Sequence, residues 1–122
     1  MPVEPTGPLV EDSEDAYRAI LYPRHWAEGH NRPSSAAFDD EVFSVDLKSR
    51  TTPRKTAARF RMTLHLVEFP CGEARTLGFE TRDERDPEQP DNDAHAHVYY
   101  RGGVKRKTQA RKLAELCLVV SL

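Results

Sequence analysis

The sequence predicts an α+β domain: a small antiparallel sheet of about four strands with a C-terminal amphipathic helix packed on it. Three observations carry this expectation. Residues alternate between apolar and polar, with period two, over 41–48 and 94–100, as half-buried strands do, and residues 62–69 are strongly strand-like. Residues 105–120 instead place Ala110, Leu113, Ala114, Cys117 and Val120 at helical spacing, with Lys and Arg on the other face near the start. Strand-like and helix-like segments also mix without regular βαβ spacing, which favours α+β over a parallel α/β layout.

Taken in order, residues 1–12 hold three Pro and several acids with little to bury, and read as a flexible leader to a single domain over 13–122. Ser13 can cap a short helix, with Glu14 and Asp15 near its positive end and Ala16, Ala19 and Ile20 on its apolar side. That helix must stop near Tyr22, because Pro23 follows. Residues 24–38 form a polar island with His25, His30, Arg24, Arg32, Asn31, Ser34 and Ser35. The strand over 41–48 sets Val42, Ser44 and Asp46 against Phe43, Val45 and Leu47. Thr52-Pro53 has the form of a cap followed by a proline at the first helical position, so a short helix is expected over 53–60. The strand over 62–69 meets Pro70-Cys71-Gly72, a turn into a second strand over 73–81, together a hairpin. Residues 82–93 carry no apolar side chain beyond prolines and read as an exposed acidic loop. Arg101-Gly102-Gly103 then turns the 94–100 strand into the last helix. No internal repeat is visible.

A chain of 122 residues has the size of one domain. Its net charge of −2 gives no global argument for nucleic acid or membrane. The charge is arranged in blocks, however. Residues 1–15 and 82–93 are acidic, while 48–61 and 101–112 each hold six bases and no acid. If the fold joins the basic blocks, one side becomes anion-accepting. The two cysteines, Cys71 and Cys117, lack any CxxC or Cys/His zinc spacing. With no leader peptide and no apolar run of membrane-spanning length, a cytoplasmic setting without membrane contact is expected. Cys117 reads as core and Cys71 as a turn residue.

The polar island is the best place to look for chemistry, because loops fixed by a rigid neighbour tend to carry function. His25 and His95 could serve as general acid and base, with Arg32 holding an anion through its guanidinium fork. Ser34 and Ser35 could donate to the same anion. Lys105, Arg106 and Lys107, opening the last helix after two glycines, oppose the helix dipole, a conflict that a bound anion would relieve. His95 and His97, two apart on a strand, face the same way. Two ligands do not complete a zinc centre, so neither a metal nor a cofactor is expected.

The segments Arg32-Pro33-Ser34-Ser35-Ala36-Ala37-Phe38, Phe43-Ser44-Val45-Asp46 and Asp93-Ala94-His95-Ala96, closing with a basic helix, resemble a family of short uncharacterised bacterial proteins. The likeness spans most of residues 17–120, and His95 matches the late motif's histidine. It implies a bacterial, cytosolic origin and brings no activity with it. The expected function is therefore a binding or accessory module with an anion-accepting surface, acting beside a partner protein. The alternatives are a histidine-dependent enzyme acting on a phosphodiester or nucleotide, and a nucleic-acid-binding domain. The expectation turns on His95 and Arg32 lining one concavity.

Overall fold

A computed structural model describes residues 5–85 and 92–122. In chain order the elements are β1 (Asp15–Ile20), β2 (Trp26–Ala27), β3 (Arg32–Pro33), β4 (Val42–Leu47), α1 (Pro53–Arg59), β5 (His65–Pro70), α2 (Cys71–Thr76), β6 (Phe79–Asp83), β7 (His95–Tyr100), α3 (Arg106–Leu116) and β8 (Leu118–Val120). One sheet runs in the order β6-β7-β4-β1-β5-β8, and each neighbouring pair is antiparallel. β2 and β3 form a separate short hairpin. The α+β class holds, with six strands in the main sheet rather than about four.

Alternation sorts the side chains of this sheet onto two faces. One face carries Phe43, Val45, Val67, Phe69, Phe79, Ala96 and Val98, which pack with α2, α3 and the short 3₁₀ turn Ser35–Ala37 into the larger core cluster. Edge-on contacts between Phe38 and both Phe43 and Phe69 knit it together, each adding about 0.5–1.5 kcal/mol beyond burial. The other face buries Tyr17, Ala19 and Leu66 with Phe60, beyond the end of α1. Thr52 caps α1 as expected, its Oγ1 accepting from the Lys55 amide, with Pro53 at the start.

Four expectations need correction. Residues 15–20 form the strand β1, not a helix. β1 sits in mid-sheet with Ala16 and Ile20 in one core cluster and Tyr17 and Ala19 in the other. A strand buried on both faces loses the apolar–polar alternation that marks a half-buried one. Residues 71–76 form α2 rather than a turn and strand, and Cys71 is the first residue of that helix. The following strand starts at Phe79, after Gly78, whose φ of +96° suits glycine. A Cβ at Gly78 would also stand 2.7 Å from the Gly102 Cα, so the two turns pack backbone to backbone. Finally, α3 ends at Leu116, and Leu118–Val120 pair with Leu66–Glu68 of β5 as β8.

Of the stretch expected as a leader, residues 1–4 lie outside the described residues. The rest runs along β6: the Val10 amide donates to the Thr81 carbonyl at 2.9 Å, and the Asp83 amide donates to the Pro8 carbonyl at 3.0 Å. The acidic loop expected over 82–93 begins inside β6, and its residues 86–91 lie outside the described residues.

Candidate functional site

The predicted site residues divide between the two sides of the sheet. Ala96 and Val98 share a cluster with Ala110, Leu113 and Ala114 of α3, so His95, His97 and Tyr99 point to the opposite face. Arg32, by contrast, lies exposed on β3, and β3 packs against α3. His25 is on that same side: its 3₁₀ turn, Pro23–His25, packs on the Ser35–Ala37 turn. His95 therefore shares no concavity with Arg32 or His25, and the proposed His25–His95 acid–base pair is not formed. His25 is a packing residue, buried edge-on against the Tyr22 ring. Burial, then the charges of Arg18 and Arg24, lower its pKa.

The serines of the island hold the backbone in place. Ser34 Oγ donates to the Arg24 carbonyl at 2.6 Å, and the Ser34 amide donates to the His25 carbonyl at 2.9 Å. Ser35 opens the short turn beneath α3. Arg106 is likewise engaged, its Nε donating to Asp39 at 2.9 Å. That hydrogen bond, outweighing some burial, raises its pKa. Lys105, Lys107, Arg111 and Lys112 remain exposed along α3. Arg111 makes a loose pair with Glu115 at 3.7 Å. Among the described residues, Lys105, Lys107 and Lys112 have no ion-pair partner. With Arg24 and Arg32 exposed on the same side, the helix and hairpin present a basic outer surface. The other basic block, residues 48–61, does not join it: Lys48 pairs with Glu68, Arg50 with Asp83 and Arg59 with Asp46.

The far face carries the more organised polar cluster. His97 sits between Ser44 of β4 and Arg82 of β6, and His95 stands opposite Asp46. The two imidazoles are nearly perpendicular, at 86°, with their Nε2 atoms 3.3 Å apart. On the other side of the His97 ring, Nδ1 lies 3.4 Å from Glu84 Oε1. Glu84 accepts from the Thr6 amide at 3.0 Å and the Thr6 hydroxyl at 2.6 Å. Burial opposes its charge, but these bonds, that of the Tyr99 hydroxyl and the nearby His97 hold its pKa down to about 2. Burial and the same Glu84 bond push the Tyr99 phenol up to about 12. A cleft of about 540 Å³ opens here, lined by Thr6, Gly7, Asp83, Glu84, His97 and Tyr99 among others. Asp83 is tied to Arg50 at 2.8 Å and Arg82 to Glu80 at 2.8 Å. The cleft thus holds acceptors, and two of the cations near it are already paired.

Beside His95, the fully buried Asp46 accepts from Thr56 Oγ1 at 2.7 Å and from the Arg59 guanidinium, which fastens α1 to β4. Its other oxygen, Oδ1, is buried without a hydrogen-bond partner among the described residues. Among the described residues, no group of three or more His, Cys, Asp or Glu side chains converges as a metal cage.

The period-two pattern placed His95 and His97 on one face, but sequence reasoning missed Glu84 and Tyr99. Tyr99 carried a signal, since it continues the 95, 97, 99 alternation. Glu84 carried none, lying among five other acids of a segment read as a solvated loop. The segments Phe43-Ser44-Val45-Asp46 and Asp93-Ala94-His95-Ala96 meet as register partners: Val45 faces Ala96 and Asp46 faces His95. No family model matches the chain, and no curated protein or solved structure gives a significant match. Among the described residues no helix is long and apolar enough to cross a membrane.

Proposed function

We propose that this chain is a small binding module that works beside a partner, accepting an anionic surface on the basic outer side of α3 and the β2–β3 hairpin. The observation that carries this reading is the exposure of Lys105, just ahead of α3, and of Lys107 and Lys112 on it, all without ion-pair partners among the described residues. The buried side of α3 is fixed by Ala110, Leu113 and Ala114, so these ammonium groups are presented from a rigid element. Arg32 adds a guanidinium suited to a carboxylate or phosphate fork. The partner is an acidic protein surface first, and a nucleotide or nucleic-acid phosphate second. The resemblance to short bacterial proteins and a cytoplasmic setting belong to the same proposal. Both fit Cys71 and Cys117, which are buried thiols with no disulfide.

Binding to a fluorescent polyanion, either an oligonucleotide or an acidic peptide, tests it. Affinity is expected at low salt and should fall steeply between about 50 and 200 mM, as released counterions require. The triple variant Lys105→Glu, Lys107→Glu, Lys112→Glu should lose most of that affinity. On duplex DNA its salt slope should flatten by roughly 2–3 if each lysine meets a phosphate. Absence of binding at low salt, or equal binding by the triple variant, would refute the reading.

A further inference from the structure

The histidine pair on the opposite face calls for a different ligand. We propose that His95 and His97 are the protein ligands of an open divalent-metal site for a borderline ion such as Zn²⁺, Cu²⁺ or Ni²⁺. The inference is independent of the basic surface and rests on three observations.

The first is distance. Two imidazole nitrogens bound to one tetrahedral ion, each about 2.0–2.1 Å from it, stand roughly 3.3–3.4 Å apart. The Nε2 atoms of His95 and His97 are 3.3 Å apart, with the rings nearly perpendicular at 86°. Small rotations of two half-exposed rings would aim both lone pairs at a common point. The second is the group behind the ligand. A metal-bound histidine usually directs its other ring N–H to a carboxylate, which fixes the tautomer and raises the ring's basicity. Glu84 lies on that side of His97, Oε1 at 3.4 Å from Nδ1, and Thr6 holds the carboxylate in place. The third is access. Both rings are partly exposed, so water can reach the coordination positions the protein does not fill. With two protein ligands the site is open rather than a closed structural centre.

A shared proton between the two Nε2 atoms accounts for the same separation and is the competing occupant. The two are distinguished by titrating tag-free, metal-free protein with Zn²⁺ by calorimetry, and with Co²⁺ or Cu²⁺ by visible absorption. One saturable equivalent per chain is expected. Under the same conditions the ¹⁵N resonances of the His95 and His97 rings should shift, with Nε2 the metallated atom. His95→Asn and His97→Asn should each abolish saturation. Glu84→Gln should weaken affinity about tenfold or more while leaving both histidines as ligands by NMR. Each variant's fold is checked by amide spectra. No saturable uptake by the wild-type chain, ring resonances unmoved by Zn²⁺, or full affinity in His97→Asn would each overturn the proposal.

Discussion

Arg18 joins the sheet to the turn that covers it. On β1, among small and apolar neighbours, its guanidinium donates to the Ala37 carbonyl at 3.1 and 3.2 Å and to the Ser44 carbonyl at 3.0 Å. It also lies 4.9 Å from the centre of the Phe43 ring. Burial draws its pKa down to about 10, which still leaves it charged at neutral pH. Arg18→Met keeps the aliphatic stem and removes every donor, stranding two carbonyls. A loss of about 2–4 kcal/mol is expected, since bonds to charged donors are worth about 1.5–3 kcal/mol and orphaned acceptors add to that. Urea denaturation measures it, and an unchanged midpoint would mean the turn is held by packing alone. The cysteines make a second prediction at this scale. Burial pushes the Cys71 thiol up to about 12, and burial raises Cys117 as well. The thiolate is the reactive form, so both should resist a thiol reagent in the folded chain at neutral pH and react on unfolding. Rapid labelling without denaturant would contradict this.

Among the elements, those whose local pattern is distinctive were legible and the others were not. β4 and β7 show alternation, β5 is an apolar strand-like run, and α1 announces itself through Thr52-Pro53. β1 was misread because both its faces are covered, while Ser13-Glu14-Asp15 imitates a helix start. α2 was missed because Pro70-Cys71-Gly72 has the composition of a turn, although Cys71 and Ala74 are buried. β8 was absorbed into α3 because Leu116–Val120 is apolar on any period, and only the open edge of β5 decides its conformation. Glu84 shows the same dependence on pairing. It ties residues near Thr6 to the β6–β7 end of the sheet, and its charge favours the folded state. Its pKa in the fold, about 2, lies below the ordinary 4.5. The stability it adds is therefore complete above about 4.5 and is lost as pH falls toward 2. Thermal melts of Glu84→Gln should run well below wild type at neutral pH and approach it at low pH. A constant gap across that range would remove the carboxylate from the account.

For the whole molecule, the sheet acts as a partition. Arg32, expected to line one concavity with His95, lies on the α3 side with Lys105 and Lys107, while His95 and His97 look out from the other. The error lay in topology: nothing in the local sequence tells that β7's histidines and the polar island take opposite faces, because face depends on strand order and register. What the sequence did disclose was chemical type, namely a basic helix on one side and two imidazoles sharing a face on the other. The two sides should behave independently, so changes at His97 should leave polyanion affinity intact.

Chemical-shift mapping on the ¹⁵N-labelled chain, titrated with a short acidic peptide or oligonucleotide at low salt, tests the anion-accepting surface most directly. Shifts should concentrate in α3 and in the β2–β3 hairpin around Arg32, fade with added salt, and leave the amides of His95, His97 and Glu84 in place. Shifts centred on β6 and β7, or no shifts anywhere, would contradict it.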